Sequence, residues 1–312
     1  MGSVVVTGGA GFIGSHVVDA LLARSQSVIV VDDLSTGHRR NLAAHDENEM
    51  LTFLEGDVAD DLCSRVEGEV DAVVHLAAQV SVVRSLADPL ADLRSNVRGT
   101  VQVLELAKAK GAKVVFASSA AVYGDVATVP TPEDATKEPL SPYGADKLAS
   151  ELWLGMYSRV HGVATTPLRF FNVYGPRQDP SSAYSGVISI FLERVSRGAP
   201  ITIYGDGEQT RDFIFVADVV RAILAAVDHK RSTPALNVGT GGRVSVSQLA
   251  QEVLRALETT VEISHGEART GDIRHSQAVV SQLSDVLGVR AATSFADGLA
   301  ETARWYQHQA EV

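Results

Sequence analysis

The stretch from Ser3 to Asp33, "SVVVTGGAGFIGSHVVDALLARSQSVIVVDD", leaves this chain few folds to choose from. The β-branched run Val4–Thr7 carries no polar alternation, as expected of a strand buried on both faces. A glycine turn follows, then an amphipathic helical segment, then a second β-branched run over Val28–Asp32. A buried strand, a tight turn, a helix and another buried strand make a βαβ unit, which requires a parallel sheet covered on both sides.

The same alternation continues downstream. Further buried-strand candidates are "LTFLEGD", "DAVVHLAA", "KVVFASSA" and "VATTPLRFFNVYG". Helical spacing fills the gaps, as in "SNVRGTVQVLELAKAKG", with apolar residues at 97, 101, 104 and 107 and a glycine stop at 111. The expected class is α/β, a doubly wound parallel sheet. At 312 residues the chain is too long for one small core and suits two lobes around a cleft. After about residue 169 turn residues cluster, in "YGPRQDPSSAYSG", "GAPITIYGDGEQTRD" and "GEARTGD". We therefore expect a first domain over 1–168 and a smaller C-terminal α/β lobe over 169–312, with segments near 212–240 returning to the sheet.

Composition narrows the function classes. A formal net charge of −11 disfavours nucleic acid and anionic membranes as partners. An anionic small ligand would need arginines placed locally in its pocket. The single cysteine, Cys63, permits no intramolecular disulfide and cannot by itself build a zinc site, so no metal is expected. The N-terminus lacks a basic region before its apolar run, and no stretch of eighteen apolar residues occurs, so a cytoplasmic protein is expected.

Gly8, Gly11 and Gly14 lie between the first strand and the helix. Glycine there permits a tight turn and close backbone approach, while the helix N-terminus offers free N–H groups to a pyrophosphate. Asp32 ends the next strand 18 residues after Gly14. A carboxylate at that place can bind both ribose hydroxyls of NAD and would repel the 2′-phosphate of NADP. Asp33 is the adjacent alternative.

The second informative region is "SSAAVYG" at 118–124, followed by "SPYGADKLASELW", which puts Tyr143 four residues before Lys147. On a helix these two share a face. Tyrosine titrates near ~10, and a neighbouring ammonium together with a cationic nicotinamide would lower it toward use as a base. A strand-end serine can then hold the substrate oxygen; Ser119 is the choice, with Ser118 as the residue that caps or turns the strand end. Alone, Tyr-x-x-x-Lys is common in helices where tyrosine half-buries and lysine snorkels. Downstream of a dinucleotide cradle it points to catalysis.

Taken together, "TGGAGFIG", "DLS", "GDV", "HLAAQVSV", "SSAAVYG", "SPYGADK", "LRFFNVYGPRQ" and "GDGEQTRDFIFVADV" resemble the extended short-chain dehydrogenase/reductase family, most closely its UDP-glucose and UDP-N-acetylglucosamine 4-epimerase members. The likeness runs from residue 3 to about 280. It implies a Rossmann domain holding NAD, a C-terminal lobe holding a UDP-sugar, and a homodimer formed through helices near 89–109 and 143–158. Cofactor contacts are implied for Gly8, Gly11, Phe12 and Ile13 in the cradle and for Asp32, Asp33, Ser35, Thr36 and Gly37 after the second strand. They are also implied for Asp57 and Val58, for Leu76, Ala77, Ala78 and Gln79, for Asn96, and for Tyr143 and Lys147 themselves. Substrate contacts are implied for Ser81, Val82, Ser118, Ser119, Asn172, Val187, Ile203 and Tyr204. Arg211 resembles a diphosphate ligand, Arg269 and Asp272 the pair at the uridine end, and Ser276 a gate beside the sugar's C2 substituent. Arginine suits such a role because its fork binds phosphate oxygens in pairs.

The resemblance also discriminates among reactions. Family members that eliminate water from C6 carry an acid pair where this chain has Ala120–Ala121, and decarboxylating relatives keep a glutamate there. A methyl group can neither remove nor deliver a proton. The expected activity is therefore inversion of C4 of a UDP-hexose through a 4-keto intermediate, on UDP-glucose/UDP-galactose and, with a small Ser276, UDP-N-acetylglucosamine. The alternatives are a dehydratase, a decarboxylase or a UDP-glucuronate 4-epimerase, and beyond them a binding protein with no activity.

Overall fold

A computed structural model describes residues 2–126, 128–179, 186–268 and 273–310. Its centre is a seven-stranded parallel sheet. The strands are β1 (Ser3–Thr7), β2 (Val28–Asp32), β3 (Leu51–Glu55), β4 (Val70–His75), β5 (Lys113–Ser119) and β6 (Thr165–Phe170), with a later strand at the edge beside β6. The side-chain period of two divides each strand between two cores. Val4 and Val6 pack into one cluster and Val5 into the other; Val28 and Val30 face one way, Ile29 and Val31 the other. This double burial explains the runs of Val and Ile without polar alternation.

The helices that cover the faces are α1 (Phe12–Ala23), the short α2 (Val82–Ala87) and α3 (Pro89–Leu93), α4 (Gly99–Lys110) and α5 (Pro142–His161). The helical periodicity around 97–107 is present, but the residues before Gly99 form one wider π turn, Arg94–Arg98. Gly111 ends α4 as expected.

The expected strand "VATTPLRFFNVYG" divides in two. β6 stays in the sheet, and β7 (Asn172–Tyr174) leaves it. Helix α6 (Val187–Ser196) and the short strands β8 (Ile201–Tyr204), β9 (Thr210–Arg211) and β10 (Phe213–Phe215) follow, then α7 (Val216–Asp228) and β11 (Leu236–Val238). β11 is the strand that pairs with β6 at the sheet edge, giving the order β11-β6-β5-β4-β1-β2-β3. The chain ends with β12 (Val244–Ser245), α8 (Val246–Ala256), β13 (Ile263–Gly266), α9 (Ser281–Leu287) and α10 (Phe295–Ala310). Three two-stranded pairs, β7–β10, β8–β13 and β9–β12, build the C-terminal part. Strand order reverses between β4 and β1, which opens a crevice at the carboxyl ends of the strands, where ligands of doubly wound sheets bind. Among the described residues, no helix is long and apolar enough to cross a membrane.

Candidate active site

A cleft of about 1020 Å³ runs from the reversal point to the C-terminal strands. At one end, Gly8 follows β1 with φ +70, and a Cβ there would lie 2.8 Å from the Ala77 nitrogen. A Cβ on Gly14 would lie 2.0 Å from the Gly8 oxygen, so α1 can start against the turn only with glycine at that place. The cradle is thus kept free of side chains, and the N-terminus of α1, with Gly11 as its cap, opens into it.

Asp32 ends β2 almost fully buried. Its Oδ2 accepts from the Ala10 N–H and its Oδ1 from the Leu34 N–H, each at 2.9 Å. Burial pushes this carboxyl above its ordinary pKa, against those two hydrogen bonds. Each oxygen keeps a further lone pair for a ribose hydroxyl. Asp33 instead accepts from the Ser35 N–H and hydroxyl in an exposed local turn. Asp57, in the loop after β3, is ion-paired with Arg94. A side-chain-free cradle, a helix N-terminus and a buried carboxylate at the adjacent strand end fit a dinucleotide.

At the centre, β5 ends at Ser119 and α5 begins at Pro142. Ser119 caps the 3₁₀ turn Ala120–Val122 by accepting the Ala121 N–H at 3.1 Å, and its hydroxyl lies close enough to the Tyr143 phenol to act on its pKa. Lys147 is buried, donates to the Ala117 carbonyl at 2.8 Å, and lies 5.9 Å from the centre of the Tyr143 ring. The electrostatics differ from the sequence expectation. Burial raises the Tyr143 pKa, Ser119 opposes it, and the charge of Asp92 raises it further. Burial pulls Lys147 down to about 8, while Asp92 and Asp146 resist.

Nearby His75 is also buried, and desolvation lowers it to about 3, so it is neutral. Thr100 gives its only hydroxyl proton to the Asn96 carbonyl at 2.6 Å. His75 therefore donates from Nε2 to Thr100 and accepts from Thr7 at Nδ1.

Most expected cofactor residues line the cleft: Gly8, Gly11, Phe12 and Ile13; Asp32, Asp33, Ser35, Thr36 and Gly37; Asp57 and Val58; Leu76, Ala77, Ala78 and Gln79. Asn96 does not. It sits behind the wall and clamps the backbone of Gln79, donating to its carbonyl and accepting its N–H, both at 3.0 Å.

On the substrate side Val82, Ser118, Ser119, Asn172, Val187, Tyr204, Arg211 and Ser276 line the cleft. Ser81 does not; it is the buried N-cap of α2. Ile203 does not either, because alternation along β8 turns it into the core while Thr202 and Tyr204 face the cleft. Ser118 gives its hydroxyl to Glu151 at 2.5 Å, and Ser119, not Ser118, caps the strand end. Asn172 at the start of β7 donates to the Asp212 carbonyl at 3.4 Å. Ser276 donates its N–H to the Thr210 carbonyl, to which Arg211 also donates, so the two residues lie side by side. Arg269 and Asp272 lie outside the described residues.

Sequence reasoning missed several lining or supporting residues: Arg177, Thr202, Gln209 and His275 in the cleft wall, and Asp92 and Asp146 behind it. Only Asp146 had a signal, its place inside "SPYGADK".

The chain matches the family described as "NAD dependent epimerase/dehydratase family" over residues 4–239. It is 39% identical over 311 residues to a UDP-glucose 4-epimerase of Mycolicibacterium smegmatis, covering 98% of this chain and 99% of that one. A UDP-glucuronic acid decarboxylase of Arabidopsis thaliana is 34% identical over 301 residues, covering 95% of this chain and 66% of the relative. Among solved structures, the UDP-N-acetylglucosamine 4-epimerase of Methanobrevibacter ruminantium, in complex with UDP-N-acetylmuramic acid, superposes with a TM-score of 0.94 at 37% identity, covering 99% of both chains. The glycine cradle, the buried Asp32 and these likenesses converge: the chain belongs to the NAD dependent epimerase/dehydratase family and is an NAD-dependent enzyme of the extended short-chain dehydrogenase/reductase type.

Proposed function

We propose that the protein is a UDP-hexose 4-epimerase. One observation carries the reading: the turn directly after Ser119, beside Tyr143 and Lys147, presents the methyl groups of Ala120 and Ala121, while the carboxyl groups that line the cleft among the described residues, Asp32, Asp33, Asp57 and Asp179, belong to other segments. Elimination of water or loss of a carboxylate needs a further proton donor or acceptor at the sugar. Epimerisation at C4 needs only one group that takes the hydroxyl proton and gives it back. Bound NAD supplies the hydride acceptor and remains available for the reverse transfer.

In this reading Tyr143 takes the proton of the 4-hydroxyl at its phenolic oxygen and later returns it. Ser119 lies beside that phenol and holds the sugar oxygen against it. Lys147 places a cation beside the ring. Asn172 and Arg211 hold the diphosphate, and Arg269 with Asp272 the uridine. With the diphosphate anchored, a roomy cleft lets the 4-keto ring turn and offer its other face. Gly8, Gly11, Phe12, Ile13, Asp32 and Gly37 hold the dinucleotide, which makes residues 1–168 the cofactor lobe and 169–312 the sugar-nucleotide lobe. Leu90, Leu93, Leu152 and Trp153 are exposed on α3 and α5 and support a homodimer through those helices, checked by light scattering.

The experiment is incubation of the purified protein with UDP-glucose, UDP-N-acetylglucosamine and UDP-glucuronate, followed by chromatographic resolution of the products. C4 epimers without loss of water or carbon dioxide are expected. A pentose or a 6-deoxy-4-keto product would replace the reading with the decarboxylase or dehydratase one, which the Arabidopsis relative keeps in view.

A further inference from the structure

Two buried carboxyl groups meet directly behind the Tyr143–Lys147 helix face. Asp92, on α3, is wholly buried, and Asp146, on the first turns of α5, is 8% exposed. Asp92 Oδ1 accepts from Gln79 Nε2 at 2.5 Å. The Oδ2 atoms of both Asp92 and Asp146 are buried with no donor from the described residues. Helices α3 and α5 pack against each other here, and Asp92 acts on Asp146 both as a hydrogen-bonding neighbour and as a charge.

Two ionised carboxylates cannot bond, having no hydrogen between them. Two neutral acids would leave Lys147 as a buried cation with no counter-charge, which is costly. One shared proton resolves both problems: it gives the facing oxygens a hydrogen bond and leaves a single negative charge opposite the ammonium.

The other titratable groups around the pair do not supply that charge balance. His75 on β4 is neutral. Tyr143 is a phenol held above its ordinary range. Arg84 on α2 and Arg98 before α4 are exposed. Arg94 is engaged by Asp57 and Asp60, Glu105 by Tyr157 and Lys108, and Glu151 by Arg169.

We propose that Asp92 and Asp146 share one proton, and that the remaining negative charge of this pair keeps Lys147 protonated and aimed at Ala117 beside Tyr143. They are positioning residues, acting through Lys147, and Asp92 additionally ties the cofactor-side loop at Gln79 to α5. Burial, then the hydrogen bond and charge of Asp92, push Asp146 up to about 7, in the sense the shared proton requires. The role assigned to the pair rests on the proposed parts of Tyr143 and Lys147; the shared proton does not.

Infrared difference spectroscopy of the folded, NAD-loaded protein at neutral pH tests the proton directly. Wild type should show the carbonyl band of a protonated carboxylic acid that Asp146→Asn lacks. No such band in wild type overturns the proposal, whatever the enzyme's reaction.

The charge is tested by the pH dependence of turnover. The double variant Asp92→Asn/Asp146→Asn, which has no charge, should move the basic limb of the profile down by about one to three pH units, the scale of losing one close opposite charge. The single Asp146→Asn, which keeps one charge and one hydrogen bond, should restore the limb. A double variant that melts like wild type, binds NAD and keeps the wild-type limb overturns the role in holding Lys147.

Discussion

Replacing Asp32 should damage the protein twice, and the two effects can be separated. Its carboxylate accepts the N–H groups of Ala10, inside the cradle, and Leu34, each at 2.9 Å. Ala10 is wholly buried, so Asp32→Ala leaves its N–H without a partner or water. A buried unsatisfied donor costs about 1–3 kcal/mol, and that loss should appear as a lower melting temperature without cofactor. Leu34 is only half-buried, and water replaces most of what it loses. The second effect falls on NAD. Loss of the acceptor for the ribose hydroxyls should weaken binding by a similar ~1–3 kcal/mol, which is roughly five- to 150-fold.

NADP should gain relative to NAD, because the charge that opposes a 2′-phosphate is gone. Asp32→Asn sharpens the assay. Either orientation of the amide turns an NH₂ toward one of the two backbone N–H groups, so one bond is kept and the charge is removed. Calorimetric titration of apo-protein with both cofactors reads all of this. If both variants bound NAD as wild type does and kept the same NAD:NADP ratio, Asp32 would have no part in ribose recognition.

Tyr143→Phe should keep UDP-sugar binding while turnover falls by about a hundredfold or more; near wild-type turnover would remove Tyr143 from the mechanism. Lys147 has a folded pKa of about 8 against an ordinary 10.5. Between those values the unfolded chain binds more protons, so unfolding free energy should rise with pH. Denaturant melts at pH 8 and pH 10 should show a smaller rise for Lys147→Met than for wild type, and equal rises would contradict the burial of the ammonium. Ser276→Tyr should selectively suppress epimerisation of UDP-N-acetylglucosamine over UDP-glucose, since a ring beside Arg211 would fill the space an acetamido group needs; an unchanged ratio of specificity constants would show that Ser276 is not the gate.

The sheet was legible because burial on both faces writes itself as unbroken Val and Ile, and the cradle because glycine is irreplaceable at Gly8 and Gly14. That Ser119, Tyr143 and Lys147 come together in one cleft was legible from spacing and context. What failed did so for local geometric reasons. Ile203 was one residue out of phase on β8. Ser118 was one residue before the position that faces Tyr143, and its hydroxyl went to Glu151, 33 residues away. Asn96 lay in a π turn that shifts its side chain behind Gln79, and no periodicity announces such a turn. The partnership of Asp92 with Asp146 joins two helices distant in sequence. Each is an ordinary acid until the fold buries both.

The two-sided sheet also bears on how such a chain can change over time. Val4 and Val6 answer to one core and Val5 to the other, and Gly8 begins the turn directly after the strand. Exchanging one apolar residue for another there disturbs a single neighbourhood. Deleting or inserting one residue inverts the facing of everything beyond it and moves the turn off the start of α1. The first third of the molecule can therefore drift widely in composition while its spacing stays frozen. Length variation is left to the connections around the short paired strands of the C-terminal part, and a cleft of new shape has to come from there.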